Sequence, residues 1–322
     1  MQEHKAVMLD EASYNLGDLD LSLLTGQLSS WGRYPQTDPG QRFARLQQAS
    51  IAVINKVRLD ADLIARLPAL KLVLLTATGT DNVDLQACRS TGIAVSNVTD
   101  YGTPSVAQHV MSMILALSTS LLKYNEETAS GGWAEATHFS TLSYPVVELD
   151  GKTLGLVGYG TLAKGVEILA RAFGMKILIA QRPGGVAQAG RVELDALLAE
   201  VDVLSLHCPL VPATQHLMNA SAFSRMKKSA ILINTARGAV VDNAALAEAL
   251  RAGEIAGAGI DVLEQEPPPR DHPLLQEGVP NLIVTPHVAW ASIESRQRLM
   301  DKVADNLRAW LAGEPINDVT RQ

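Results

Sequence analysis

Short runs rich in Val, Ile and Leu recur along the chain and alternate with stretches in which apolar residues return at helical spacing. In the first third these runs are KAVMLD (5–10), IAVINK (51–56), LKLVLLTATG (70–79) and IAVSNV (93–98). A second series follows: TLGLVGYG (153–160), KILIA (176–180), VDVLSLH (201–207), AILINTA (230–236), GAGIDV (257–262) and NLIVTPH (281–287). Runs that are apolar throughout predict strands covered on both faces, and their alternation with helical segments predicts βα units and parallel sheets. The later series has the number of strands that suits a dinucleotide-binding half.

Between the two series the pattern predicts a helix of roughly five turns beginning near Thr103. The stretch Val106 to Leu122 is the most apolar helical segment, but Gln108, His109 and several serines interrupt it, so it reads as a buried helix and not a membrane span. The segment GGWAEATHFSTLSYPVVELDGK (131–152) keeps neither a helical nor a strand period and is expected to be a connection with an overhanging loop. After His287 an amphipathic helix, Ser292 to Leu311, comes too late to extend the second sheet and is expected to return to the first domain. EPPP (266–269) is a local rigid turn, and no repeat of solenoid period is visible. The pattern is that of a two-domain α/β protein.

A length of 322 residues agrees with two domains. With 47% apolar and 19% charged residues the chain is not disordered, collagenous or coiled-coil. Acids outnumber bases 34 to 27, a formal charge of −7, which removes any general attraction to nucleic acid or to an anionic membrane. Cys88 and Cys208 are too few for a four-cysteine zinc site or a disulfide framework and suit a reducing cytosol. The N-terminus, MQEHKAVMLDEAS, lacks the apolar core and cleavage site of a signal peptide. The expectation is a soluble cytoplasmic protein with no metal and no nucleic-acid or membrane partner.

The first chemical motif is GLVGYGTLAKG, which sets Gly158, Gly160 and Ala163 at G-x-G-x-x-G/A spacing after an apolar strand and before a helical pattern. Gly158 permits the tight turn, Gly160 lets the backbone approach a pyrophosphate, and Ala163 serves helix–strand packing. Tyr159, Thr161 and Leu162 complete the loop that would face the cofactor. The next strand ends at Gln181 and Arg182, where an NAD site carries an acid for the ribose 2′-hydroxyl. A neutral Gln does not repel a 2′-phosphate and an Arg can pair with it, so this pair tilts the reading toward NADP, with NAD use still open.

A dehydrogenase of this architecture needs a cation that binds and polarises an oxo-acid and a proton donor beside the carbonyl. Arg237 follows AILINTA, Glu266 lies just beyond GAGIDV, and His287 closes NLIVTPH, so all three sit past the carboxyl ends of strands, where open α/β sheets bind ligands. His207, in HCPL, also ends a strand and is the one serious rival. Its short loop with Pro209 suits backbone contact with the cofactor better than proton transfer, so the assignment favours His287.

INTARG, DVLEQEP and TPHVAWAS, together with GYGTLAKG, resemble the D-isomer-specific 2-hydroxyacid dehydrogenase family over nearly the whole chain. ATGTDNVD (77–84), INKV (54–57) and VTPHVAWAS resemble the glycerate dehydrogenases, or hydroxypyruvate reductases, within it. The resemblance implies two Rossmann-like doubly wound parallel-sheet domains with the active site in the cleft between them. Residues 1–100 plus 289–322 would form a discontinuous substrate-binding domain and 101–288 the dinucleotide-binding domain. It implies that His287 is the acid/base, Glu266 its carboxylate partner, and Arg237 the group that binds the substrate carboxylate and carbonyl. Asp261 matches the acid that contacts the nicotinamide carboxamide. Val106, Cys208, Pro209, Thr214, Thr235, Ala236 and Ala289 match positions lining the cofactor site, core packing being the alternative for Val106 and Ala236. The turn Thr78, Gly79, Thr80 matches a carboxylate cradle, and Asn55 and Tyr101, with Lys56 and Trp290, lie near the expected substrate mouth.

The implied reaction is NAD(P)-dependent reduction of hydroxypyruvate to D-glycerate and of glyoxylate to glycolate. The implied assembly is a homodimer, with the long helix around Met111 to Leu115 serving as interface or as core. Gln108 and Gln181 stand where the family often has acids, and only the second alters the chemistry. Competing readings are a phosphoglycerate or other D-2-hydroxyacid dehydrogenase and, in a different class, a dinucleotide-sensing corepressor-like binding protein.

Overall fold

Five parallel strands form a first sheet, β1 (Lys5–Met8), β2 (Ser30–Arg33), β3 (Ile51–Ile54), β4 (Leu72–Leu75) and β5 (Ala94–Ser96), in the order β2-β1-β3-β4-β5. Six more form a second parallel sheet: β6 (Thr153–Val157), β7 (Lys176–Ile179), β8 (Val203–Leu206), β9 (Ile231–Asn234), β10 (Gly257–Ile260) and β11 (Leu282–Val284). Their order is β11-β10-β9-β8-β6-β7. The computed structural model describes residues 4–182 and 185–321. The chain divides into one unit of Met1–Gly102 with Ala291–Gln322 and another of Thr103–Trp290, so each boundary falls two residues beyond the expected one.

Each predicted apolar run carries a strand, and most strands end before the run does. IAVINK is paired only through Ile54, because the backbone N–H groups of Asn55, Lys56 and Val57 turn to the carboxylate of Asp10 at 2.6 to 3.2 Å. The pattern missed β2, SWGR, which pairs with β1 from Lys5↔Ser30 to Met8↔Arg33. It is an edge strand with no fully buried position, so it carries no apolar run.

In the first unit the helices are α1 (Ser22–Thr25), α2 (Arg42–Leu46), α3 (Ala61–Ala65) and α4 (Leu85–Thr91). In the second they are α5 (Thr103–Ser118), α6 (Leu121–Ala129), α7 (Thr161–Ala172), α8 (Leu194–Glu200), α9 (Ala220–Phe223) and α10 (Asn243–Arg251). The side chains of the second sheet alternate between two apolar layers: Leu154, Leu156, Ile231 and Ile233 pack with Val106, Val110, Ile114, Ala163 and Val166, while Val157, Leu204, Leu232 and Ile260 pack with Leu197, Phe223 and Leu246. Met111, Met113 and Ile114 are buried in this unit's own core.

The long helix is shorter than expected. It stops at Ser118, Ser120 takes a left-handed φ of 51°, and α6 leaves at 60°. The Thr119 hydroxyl donates to the Leu115 carbonyl at 2.7 Å and that of Ser120 to the Pro145 carbonyl at 2.7 Å, so side chains replace the helical continuation. Among the described residues no single helix is long and apolar enough to cross a membrane.

The last helix, α11 (Ile293–Leu311), belongs to the first unit, where it packs against β4 and α1. Ser292 caps it by accepting from the Ser295 N–H at 3.2 Å. Buried Arg296 reaches across to Asp18 with two bonds, 2.9 and 2.7 Å. The guanidinium holds the Asp18 carboxyl down at about 2, against 3.8 ordinarily. A carboxyl depressed on folding stabilises the fold above its unfolded value and loses that contribution as pH falls through the folded one. Asp18→Asn should therefore lower the melting temperature at pH 7, and its deficit against the parent should shrink as pH falls toward 2. An equal deficit at both ends would assign the effect to packing.

Candidate active site

In the second sheet Asn234, Ile260 and Val284 occupy one row across β9, β10 and β11. Arg237 and His287 each lie three residues beyond that row, on strands two places apart, or about 10 Å at the usual strand spacing. Asp261 directly follows Ile260. The sheet therefore delivers the predicted residues to a single edge, the carboxyl ends of its strands.

Gly238 brings the Arg237 turn close to the loop after β10. A Cβ on Gly238 would stand 1.9 Å from the Leu263 carbonyl carbon, so any side chain would push the two backbones apart. The same loop carries Glu266, whose Oε1 accepts from the Leu263 N–H at 3.0 Å. Its Oε2 lies 2.7 Å from His287 Nδ1. A carboxylate only accepts, so the proton of that bond sits on Nδ1, and Nε2 is the ring atom left for a substrate. Arg237 Nη1 donates to the Ala236 carbonyl at 2.8 Å, and its guanidinium forms no ion pair among the described residues.

His287 has a left-handed φ of 55°, which is uncommon for a residue other than glycine. Its surroundings hold that conformation. The His287 N–H donates to the Asp261 carbonyl at 2.8 Å, the Trp290 indole donates to the His287 carbonyl at 2.9 Å, and the Asp261 carboxylate takes the N–H groups of Val288 and Ala289, both at 2.9 Å. The Thr285 hydroxyl adds a 2.5 Å bond to Asp261 and lies 3.0 Å from His109 Nε2 on α5. Asp261, expected to contact the nicotinamide carboxamide, is seen to organise the turn that carries His287.

His207 differs from His287. Its Nδ1 is shut away without a partner, its Nε2 lies 2.9 Å from the Ser205 hydroxyl, and burial pushes the imidazole down to about 4. It is neutral near pH 7 and a poor proton donor.

The cofactor loop fits a dinucleotide. Gly158 has a φ of 86°, and a Cβ there would lie 2.7 Å from the backbone of His207 and Cys208. Gly160 opens α7 with no side-chain cap, and the space beside its Cα is open, so the first N–H groups of that helix are available to a phosphate. The buried Thr235 hydroxyl has no partner, and Ala236 follows it at the same strand end. The remaining predicted positions make these contacts within the unit. Val106 is in the apolar core, the Thr214 hydroxyl is bonded to Pro209 and Val211 inside its own turn, and Cys208 and Ala289 are buried. Gln181 is also buried: its amide donates to the Val186 carbonyl and accepts from the Gln188 N–H at 3.3 Å, so it clamps the following loop, while Arg182 is exposed. Among the described residues no His, Cys, Asp and Glu cluster is able to hold a metal.

In the first unit, Asn55 and the turn 78–80 follow β3 and β4, and Tyr101 precedes the end of the unit. Asn55 Nδ2 donates to Ser13 at 3.0 Å, Thr78 donates to the Val98 carbonyl at 2.7 Å, and Asn97 donates to the Thr78 carbonyl at 2.7 Å. Asp10, two residues past β1, where the strand order reverses, fixes the Asn55 backbone.

The model of the D-isomer specific 2-hydroxyacid dehydrogenase NAD-binding domain matches residues 111–289, more than half of the chain. The chain belongs to that family. As a D-2-hydroxyacid dehydrogenase it is an oxidoreductase that uses a nicotinamide dinucleotide. It is 45% identical to a glycerate dehydrogenase of Methylorubrum extorquens over 87% of this chain and 88% of that protein. It is 36% identical to a hydroxypyruvate reductase of Blautia hydrogenotrophica over 98% and 100%. Among solved structures, a Thermus thermophilus protein superposes with a TM-score of 0.86 at 34% identity, covering 98% and 99% of the two chains. An acyclic imino acid reductase in complex with NADPH gives 0.85 at 26% identity, also covering 98% and 99%.

Pattern reading passed over Asp10, Gly238, Thr285 and the link to His109. An acid closing an apolar strand, as in VMLD, and a polar residue just before a Pro-His pair are the signals that point to two of them. Asp261→Asn sets an amide NH2 against the Val288 and Ala289 N–H groups, which only donate, and a misplaced His287 should lower the turnover number at least about tenfold in this dehydrogenase. Steady-state kinetics on the folded variant measure it, and unchanged turnover would show that the turn holds itself.

Proposed function

We propose that this dehydrogenase reduces hydroxypyruvate to D-glycerate and glyoxylate to glycolate, with Arg237, Glu266 and His287 as catalytic residues. The 2.7 Å contact of His287 Nδ1 with Glu266 carries the reading, since it leaves Nε2 to serve a carbonyl oxygen. Arg237 binds the substrate carboxylate and polarises the carbonyl. Asn55, the turn Thr78 to Thr80 and Tyr101 hold the substrate in the same reading, and the names of two relatives support the choice of oxo-acid. A bound reduced nicotinamide supplies hydride to C2. His287 Nε2 donates the proton to the oxygen as negative charge builds there, and Glu266 stabilises the imidazolium before transfer. In the oxidation direction His287 accepts the proton instead.

NADPH is the preferred cofactor in this proposal, because exposed Arg182 stands after β7 and no acid is present to hold a ribose diol. The glycine loop from Gly158 to Leu162 and the strand-end residues Thr235 and Ala236 hold the dinucleotide. A homodimer is also proposed. With Met111 to Ile114 committed to the core, the support comes from α6 and the segment after it, where Leu121, Leu122, Trp133, Phe139, Leu142 and Val146 are more than half exposed. The buried, unpaired thiols of Cys88 and Cys208 suit a cytoplasmic setting.

His287→Ala should lower turnover by about 10²- to 10⁴-fold, and Glu266→Gln by less. Loss of reduced-cofactor absorbance is the readout, with hydroxypyruvate, glyoxylate, pyruvate and phosphohydroxypyruvate each tested against NADPH and NADH. Silence with every pair would refute the assignment. Light scattering after chromatography should give a mass near twice 34.4 kDa, falling to one chain in Phe139→Asp with Leu142→Asp.

A further inference from the structure

We propose that Arg191 is a second guanidinium for the 2′-phosphate of NADPH and that the ring of Tyr159 positions it; this rests on the NADPH preference above. The Arg191 guanidinium carbon stands 4.9 Å from the centre of the Tyr159 ring, and Lys164 Nζ stands 5.7 Å from it. Tyr159 lies between the two glycines of the cofactor loop and is itself fixed, its hydroxyl donating to Glu167. Glu167 also takes the Arg171 guanidinium at 2.8 Å, so the acid nearest the ring already has a cation of its own.

Around the ring, then, are Arg191 and Lys164, with Arg182 exposed just after the neighbouring strand, and none of the three forms an ion pair among the described residues. Glu167 is shared by Tyr159, Arg171 and Lys164, so cations outnumber acids around the ring, and an arriving dianion relieves their mutual repulsion.

The loop carrying the two arginines is anchored at both ends. Val192 pairs with Ala180 in a parallel bridge, the Val192 N–H donates to the Ile179 carbonyl at 2.9 Å, and the Gln181 N–H donates to the Val192 carbonyl at 2.7 Å. The Gln181 amide ties Val186 and Gln188 inward, and the Arg191 N–H donates to the Gln188 carbonyl at 3.2 Å. Arg182 leaves this anchored base and Arg191 returns to it. The position where an acid would serve a ribose diol is used to brace the loop. A neutral 2′-hydroxyl accepts only an ordinary hydrogen bond from a guanidinium at Arg191, whereas a 2′-phosphate accepts charge-assisted ones, so Arg191 acts on discrimination between the two cofactors.

Calorimetry of the full chain with 2′,5′-ADP and with 5′-AMP tests this, together with kcat/KM for NADPH and NADH, in the parent, Arg182→Ala, Arg191→Ala, Arg191→Lys and Tyr159→Leu. The parent should prefer 2′,5′-ADP, and Arg191→Ala should cut that preference about tenfold, as expected for one lost charge-assisted contact. Arg191→Lys should recover part of it; Tyr159→Leu alone should cut the preference too, and a Tyr159→Leu, Arg191→Ala double variant should match Arg191→Ala, whereas an unchanged preference in Tyr159→Leu would remove the positioning role of the ring. A parent that does not prefer 2′,5′-ADP would remove the NADPH reading and Arg191 with it. A parent that does, combined with an Arg191→Ala variant that keeps the preference or weakens both nucleotides equally, would overturn the role of Arg191 alone and leave Arg182 standing.

Discussion

The turn that carries His287 depends on one buried carboxylate. Asp261 is 1% exposed and collects two backbone N–H groups and a threonine hydroxyl from the chain that follows β11, while its own carbonyl takes the His287 N–H. A buried carboxylate is expensive unless its oxygens are bonded, and backbone N–H groups outside a strand are expensive unless accepted. Each satisfies the other here. His287 can therefore keep a backbone conformation that costs on the order of 1–3 kcal/mol, and its ring meets Glu266 from a fixed direction.

The same device recurs in the first unit. Asp10 lies two residues past β1, and its carboxylate takes three successive N–H groups from the chain leaving β3. In each sheet the acid follows a buried strand and organises the loop after an adjacent one: β1 and β3 in the first, β10 and β11 in the second. Parallel strands send all their carboxyl ends to one edge, and an acid at that edge can gather N–H groups from a neighbour without crossing the sheet. The fold thus builds rigid loops where ligands of open α/β sheets bind.

The architecture is legible in the sequence because fully buried parallel strands must be continuously apolar, and that constraint leaves runs such as ILIN and VLSL in plain view. It fails where it does not apply. SWGR forms an edge strand, exposed enough that no apolar run is needed, and INK looks like more strand because nothing local reveals that Asp10 removes its backbone from the sheet. The candidate catalytic residues are legible as residue types at strand ends. What holds them is not. The contacts of Asp261 with Thr285 and of Gly238 with Leu263 join residues more than twenty positions apart, and the internal bonds of Gln181 are set by a loop with no periodicity.

His207 and His287 show why position alone does not decide chemistry. Both end strands of the same sheet, and a pattern that marks one marks the other. At His207 Nδ1 is withdrawn from water with no partner among the described residues and Nε2 meets a single hydroxyl, so protonation would place a charge that no acid compensates, and the ring stays neutral. At His287 one nitrogen faces a carboxylate and the ring remains a third exposed, so a charge partner and an open side are both at hand for the acid/base role proposed for it. A proton donor must hold its charge before transfer and release it during transfer. Only the second environment permits both, and the difference is made by Glu266, a residue supplied by the neighbouring loop.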